Sequence, residues 1–105
     1  MRKLYIVRST RDFDKIMHEG TCLKNRSFVV YSLKNDLPYN RYGISVSKKH
    51  GNAVFRNKQK RNISNIIDND KKDYLNNKDY IIILRKGALE RNFQEKTNDL
   101  LELLK

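Results

Sequence analysis

Cysteine, proline and tryptophan are scarce in this chain of 105 residues: Cys22 and Pro38 each occur once, and tryptophan does not occur. A single cysteine excludes a disulfide within the chain and is typical of a reducing compartment, so we expect a cytoplasmic protein. No segment rich in proline, glycine or serine divides the sequence. The length and this continuity predict one domain over residues 1–105.

Long apolar runs are also missing. None approaches the roughly 20 residues that a membrane-spanning helix needs, and the first residues contain too few apolar side chains for a secretory signal. Hydrophobic residues make up 38% of the chain and charged residues 33%. We therefore expect a small core beneath a heavily charged surface, and no membrane partner.

Acidic residues are absent between Asp36 and Asp68, although seven basic residues lie in that interval. The positive charge is concentrated there, because residues 1–36 carry a net +4, residues 37–67 carry +7 and residues 68–105 carry none. The whole chain carries +11 and has a pI near 9.9. This charge indicates a polyanionic partner, and nucleic acid is favoured over the second candidate, an anionic membrane surface.

The first half of the chain has the pattern of one helix followed by three strands. Ser9 can cap a helix whose first turn contains Asp12, and Gly20 can end it. The period then becomes extended, which predicts strands at residues 21–23, 27–33 and 42–47. The segment before Ser9 is either extended along a neighbouring surface or loose.

The second half has the pattern of helix, strand, helix. A helical period covers residues 53–67, with an apolar face that Gln59 interrupts. Residues 79–85 form an almost continuous apolar run, typical of a strand that is buried on both faces and central in its sheet. Asn92 and Glu95 match a capping box at the start of a last amphipathic helix.

These elements predict an α/β fold of the α+β two-layer sandwich type, in the order helix, strand, strand, strand, helix, strand, helix. A four-stranded sheet would have helices over one face, and a cleft would lie between its other face and the basic helix. In the third strand the polar face carries only Gly43, Ser45 and Ser47, which leaves room for something to lie on it. We expect Tyr74 and Leu75 to anchor the loop before the fourth strand.

Side chains suited to protein-based catalysis are few. His18 and His50 are the only histidines, and neither a nucleophile elbow nor an HExxH motif occurs. His18 and Cys22 are too few ligands for a zinc site. His50 lies in a basic loop, where a loop residue or a phosphate contact is favoured over a catalytic base. These residues favour a binding protein over a protein-only nuclease.

The basic stretch from Lys48 to Arg61 favours RNA as the polyanion. Six of its fourteen residues are Lys or Arg and none is acidic. Phe13 and Tyr31 are of the type that stacks on unpaired bases, each worth about 1–3 kcal/mol. Core packing is the alternative for both, and for Phe13 it is as well supported as stacking. These residues alone favour a general single-stranded RNA-binding or ribosomal protein without a role in cleavage.

The basic stretch and the strand before it, VSKKHGNAVFRNKQKR, resemble the signature of the bacterial ribonuclease P protein component. The resemblance continues through RDFDKI in the first helix, NRSFVVYSL and YGISVSKK in the strands, KDYIIILRK in the fourth strand and a leucine-rich last helix. It covers nearly the whole chain.

The resemblance implies a protein subunit of an endoribonuclease, ribonuclease P, whose catalytic component is RNA. Such a subunit binds the catalytic RNA and the 5′ leader of precursor tRNA and promotes 5′-end maturation of tRNA. No catalytic residue, cofactor or metal is then expected on the protein, and no obligatory protein partner, whereas magnesium is expected with the RNA. The resemblance also implies a left-handed crossover between the third and fourth strands, where a right-handed one is usual.

Ten residues are expected to contact RNA. The resemblance places Phe13 and Tyr31 in a central cleft that meets the leader. It also implies that the basic helix contacts RNA and helps to organise the metal ions of that RNA. The ten residues are Phe13, Tyr31, Lys48, Lys49, Asn52, Arg56, Asn57, Lys58, Lys60 and Arg61.

Five positions depart from the family's pattern. Lys58 stands where an arginine is usual and lacks its bidentate fork, and Met17 stands where a second aromatic residue of the cleft is usual. Gln59 and Asn62 replace commonly apolar residues, and Ser64 replaces a commonly basic one. We therefore expect the basic helix to pack less well and to carry less charge than is usual in the family.

Overall fold

The computed structural model describes residues 5–70 and 77–104. Within them are the helices α1 (Thr10–Glu19), α2 (Ala53–Asn69) and α3 (Phe93–Leu103). The strands are β1 (Thr21–Lys24), β2 (Phe28–Lys34), β3 (Arg41–Ser45) and β4 (Lys78–Leu84). Short 3-10 helices, Lys48–His50 and Lys86–Glu90, follow β3 and β4. The predicted order of elements is confirmed, whereas Tyr74 and Leu75 lie outside the described residues.

The strands form one mixed sheet in the order β1-β2-β4-β3. β4 pairs antiparallel with β2 and parallel with β3, and α2 is the crossover between the two parallel strands. Ile81 and Ile82 in β4 point to opposite faces, and both are fully buried. The predicted central position of this strand is therefore confirmed.

Helices lie on both faces of the sheet. α2 and α3 cover one face, and the core on that side includes Phe28, Val30, Tyr80, Ile82 and Leu100. α1 lies on the opposite face, where Ile16 packs with Val7 and Ile81. The expectation that helices cover a single face is therefore wrong for α1. The physical reason is that β4 presents Ile81 on that side, and the apolar stripe of α1 removes it from water.

The segment before α1 lies along the outer edge of β3. Ile6 forms a parallel bridge with Tyr42, and the N–H of Val7 donates to the carbonyl oxygen of Tyr42 at 2.9 Å. Val7 is only 3% exposed. For these two residues the extended alternative is correct and the loose one is wrong.

A carboxylate joins α3 to the turn between β1 and β2. Asp99 accepts a hydrogen bond from Ser27 Oγ at 2.5 Å and two from the guanidinium of Arg91, at 3.0 and 3.1 Å. Asn25 Nδ2 donates to the backbone carbonyl of Asp99 at 2.8 Å. The hydrogen bonds from Arg91 are the main cause that lowers the pKa of Asp99. Polar contacts therefore hold α3 to the sheet in addition to apolar packing.

Candidate nucleic-acid interface

α2 has an apolar inner side and a charged outer side. Its buried residues are Gln59, Ile63, Ile66 and Ile67. Among the predicted contact residues, Arg56 is half-buried and the remaining four on this helix are exposed; those four are Asn57, Lys58, Lys60 and Arg61. The first turn contains no acidic residue. The exposed side chains can therefore meet phosphate groups without any change in the position of the helix.

A cavity of about 290 Å³ lies between α1, β3 and α2, and we call it the cleft. Lys60 contributes a positive charge to its lining, and Phe13 contributes an aromatic ring. The full lining is Ile6, Val7, Phe13, Tyr42, Ile44, Lys60 and Ser64. The cleft thus combines an apolar floor with a cation from the basic helix.

Phe13 packs in the core and also lines the cleft, and its stacking on RNA bases stays a prediction. It is half-buried and packs against Ile16 and Ile81, as a core residue would. A Cβ atom built at Gly43 would lie 2.5 Å from Cζ of Phe13, so the ring occupies the space that this glycine leaves. At Gly43 the room that the sequence predicted on this face of the strand is therefore taken by a side chain of the protein itself. The same ring lines the cleft, where it remains available for stacking.

Tyr31 lies on the same sheet face as Phe13 but is not part of the cleft lining. It pairs with Ile81 on one side and with Cys22 on the other. A hydrogen bond with the Cys22 thiol is the main cause that raises the pKa of Tyr31. Sequence reasoning missed Cys22 as a neighbour of Tyr31, because only the strand register brings the two residues together.

The connection from β3 to α2 contains the other predicted contact residues. Lys48 and Lys49 are exposed on the short 3-10 helix. Asn52 caps α2, since its Oδ1 accepts a hydrogen bond from the N–H of Phe55 at 2.9 Å. The side-chain oxygen of Asn52 therefore has a structural role, and its predicted contact with RNA stays a prediction.

A second cavity, of about 640 Å³, lies beyond the carboxyl ends of β3 and β4. Lys49 and His50 reach it from one connection, and Arg85 and Lys86 reach it from the other. Ile83 and Leu89 add apolar surface. The sequence did not predict that Arg85 and Lys86 lie beside the basic loop, because basic residues after an apolar run indicate only the end of a strand. The parallel pairing of β3 and β4 brings them there.

Arg41 belongs to the central basic interval but is neutralised within the protein. Its guanidinium donates to both carboxylate oxygens of Asp79, at 2.9 and 2.6 Å. Asp12 adds a longer contact at 3.6 Å. The hydrogen bond to Asp79 is the main cause that raises the pKa of Arg41. Within the central basic interval, the unpaired positive charge therefore lies in the loop before α2 and in α2 itself.

Gln59 has a polar partner on α3. Its Oε1 accepts a hydrogen bond from Nζ of Lys96 at 3.3 Å, and the two residues are 7% and 8% exposed. Burial, and after it the charge of Lys58, lowers the pKa of Lys96. A buried polar group with a hydrogen-bond partner avoids most of the cost of burial, so this contact stabilises Gln59 at its position. The expectation that α2 packs less well than is usual in the family stays a prediction.

Residues 5–70 and 77–104 offer neither a metal-binding cluster nor a membrane-spanning helix. No group of three or more His, Cys, Asp or Glu side chains there could hold a metal ion. No helix in the same ranges is long and apolar enough to cross a membrane.

The fold and the site define a small, strongly basic α+β protein whose charged helix connects two parallel strands. The whole chain, residues 1–105, matches the family model for ribonuclease P. The ribonuclease P protein component of Streptococcus pneumoniae (strain Hungary19A-6) is 45% identical over 105 residues, which are 100% of this chain and 85% of the relative.

Solved structures show the same likeness. The RNase P protein of Staphylococcus aureus has a TM-score of 0.87 and 40% identity, with 95% of this chain and 92% of that chain covered. The RNase P protein from Thermotoga maritima has a TM-score of 0.86 and 37% identity, with 93% of each chain covered. The predicted α+β fold class is confirmed by these structures.

The chain belongs to the ribonuclease P protein family. Membership makes it a protein component of an endoribonuclease, with an RNA subunit as partner.

Proposed function

We propose that this chain binds the catalytic RNA of ribonuclease P and the 5′ leader of precursor tRNA, in the cytoplasm, and so promotes maturation of tRNA 5′ ends. The observation that carries the proposal is the position of the exposed cations of α2 beside a cleft lined by Phe13. RNA offers phosphate groups to the cations and unpaired bases to the aromatic ring.

The leader is the part of the precursor that the cleft would hold. Single-stranded nucleotides bind best where an aromatic face lies next to a positive charge, and Phe13 and Lys60 supply this pair in one lining. Tyr31 would extend the contact along the same sheet face. Because mature tRNA lacks the leader, these contacts favour the precursor over the product.

The outer side of α2 would bind the catalytic RNA through its phosphates. Arg56, Lys58 and Arg61 supply positive charge, and Asn57 supplies a neutral donor. Each phosphate contact releases counterions, which makes binding depend on salt. No side chain of this protein acts as a catalytic group in the proposal; magnesium ions bound by the RNA would supply the Lewis acid that phosphodiester hydrolysis needs.

Reconstitution with a catalytic RNA at low magnesium tests the proposal. We expect the protein to increase the rate of precursor cleavage over that of the RNA alone, because its cations neutralise phosphates that magnesium must otherwise screen. No increase in the cleavage rate would contradict the proposal.

Two substitutions test the assigned residues. Arg56→Ala and Lys60→Ala should each weaken RNA binding and reduce the slope of log K against log salt by about one. Lys34→Ala removes an exposed lysine at the end of β2 and serves as the matched control, whose slope should equal that of the wild type. An unchanged slope in both test variants would remove Arg56 and Lys60 from the interface.

A further inference from the structure

A buried lysine lies where α3 packs against α2. Lys96 is 8% exposed, and within the described residues the only hydrogen bond of its ammonium group goes to Oε1 of Gln59, at 3.3 Å. An ammonium group has three N–H donors and is best matched by an anion. A single neutral amide oxygen therefore leaves most of the binding capacity of Lys96 unused.

Lys96 has a second cation as its neighbour. Lys58 precedes Gln59 on α2, and its positive charge acts on Lys96 across the contact between the helices. No carboxylate within residues 5–70 and 77–104 forms an ion pair with either lysine. Two carboxylates of α3 form ion pairs with Arg91 instead: Glu95 at 2.8 Å and Asp99 at 3.0 Å.

We propose that Lys58 and Lys96 together form a binding site for an RNA phosphodiester, on the side of α2 that faces α3. The proposal rests on the proposed function, because RNA bound along α2 supplies the phosphate. The site is separate from the cleft, to whose lining α2 contributes Lys60 and Ser64. The phosphate is therefore assigned to the catalytic RNA and not to the leader.

The physical reason is charge compensation in a partly desolvated place. A phosphate between the two ammonium groups ends their mutual repulsion and gives Lys96 an ionised hydrogen-bond acceptor. Charges that are partly buried are screened by salt less than exposed ones are. Gln59 then has a role in binding, since its Oε1 holds Nζ of Lys96 towards α2 at 3.3 Å.

The substitution Lys96→Gln separates charge from hydrogen bonding, because a glutamine amide can still donate to Gln59. We measure the salt dependence of binding to the catalytic RNA alone, and of precursor tRNA binding to the reconstituted holoenzyme. For the catalytic RNA we expect the slope to fall by about one and the affinity to fall several-fold. For precursor tRNA we expect no change in the slope.

Three further variants complete the experiment. Lys96→Arg keeps the charge and should keep the wild-type slope, whereas Lys34→Gln removes a distant exposed lysine and should also leave it unchanged. Lys58→Gln, at an exposed position, should reduce the salt slope and the affinity for the catalytic RNA as Lys96→Gln does. This variant tests the site even where the buried substitution impairs folding.

The outcomes separate the site from the function on which it rests. A wild-type slope in Lys96→Gln and Lys58→Gln for both RNAs, with a reduced slope in Arg56→Ala, would overturn the phosphate site and leave RNA binding by α2 intact. A loss confined to precursor tRNA would overturn the assignment of the phosphate to the catalytic RNA. A wild-type protein without salt-dependent RNA binding would contradict the proposed function itself.

Discussion

At Gly43 the ring of Phe13 fills the space that a Cβ atom would occupy. That atom would lie 2.5 Å from Cζ of Phe13 and 2.9 Å from Cδ1 of Ile81, both shorter than van der Waals contact. The glycine therefore sets the position of Phe13 in the cleft. We therefore expect a substitution at Gly43 to weaken leader binding through Phe13, without any contact between Gly43 and RNA.

Gly43→Ala should lower the free energy of unfolding by about 1–3 kcal/mol, because the added methyl group overpacks a filled space. The double variant Gly43→Ala, Phe13→Leu should lose less than the sum of the single variants, since leucine lacks the ring atom that collides. Urea unfolding measures both, with Ser45→Ala on the same strand as the control, expected within about 0.5 kcal/mol of the wild type. Strict additivity would show that the contact is unimportant.

Gln59→Leu should lower the free energy of unfolding by about 1–3 kcal/mol, because Lys96 loses its hydrogen-bond acceptor and stays buried. The double variant Gln59→Leu, Lys96→Met removes both polar groups and should recover most of that loss. Thermal or urea unfolding of the three proteins measures the effect. A double variant no more stable than Gln59→Leu would contradict the pairing of Gln59 with Lys96.

Local features of single residues could be predicted from the sequence, and tertiary pairs could not. The caps at Ser9 and Asn92 follow from spacings of three residues, and both form as expected. The pairs Gln59 with Lys96 and Tyr31 with Cys22 join different elements, and no local pattern specifies them. In the sequence Gln59 therefore only interrupts the apolar face of α2, and its hydrogen bond with Lys96 is known only from the fold.

At the scale of elements, α3 depends on one carboxylate for its polar attachment to the sheet. Asp99→Asn should lower the free energy of unfolding at neutral pH by about 1–3 kcal/mol, because charged hydrogen bonds to Arg91 and Ser27 are lost. Glu102→Gln, an exposed change on the same helix, is the control and should have little effect. Equal stability of Asp99→Asn and wild type would contradict this role.

The stability difference between wild type and Asp99→Asn should depend on pH. The pKa of Asp99 is lower in the folded protein than its ordinary value of about 3.9. Its stabilising effect is therefore complete above that ordinary value and is lost as the pH falls through the folded pKa. The difference in stability between wild type and Asp99→Asn should shrink below about pH 4, as urea unfolding at several pH values would show. A constant difference across this range would assign the effect to packing.

The order of the elements could be predicted, but their assignment to faces of the sheet could not. The period of α1 shows that the helix has an apolar side, not which face of the sheet receives it. The apolar run in β4 indicated a strand buried on both faces, which requires a cover on each. α1 supplies the second cover, and this also places Phe13 in the cleft.

At the scale of the whole molecule, the segment that carries the positive charge could be predicted, because the net charge of a segment follows from its residues alone. Residues 37–67 carry +7, and Arg41 is the member of that set that Asp79 neutralises. The parallel pairing of β3 with β4 adds Arg85 and Lys86 beside the same loop. The basic surface is therefore broader than the sequence stretch that first indicated it.

The affinity of the reconstituted holoenzyme for precursor tRNA relative to mature tRNA tests the central claim most directly. We predict tighter binding of the precursor, by about 5- to 150-fold for each leader base stacked in the cleft, which corresponds to roughly 1–3 kcal/mol. Equal affinities for the two RNAs would contradict leader binding and would instead fit a general single-stranded RNA-binding protein.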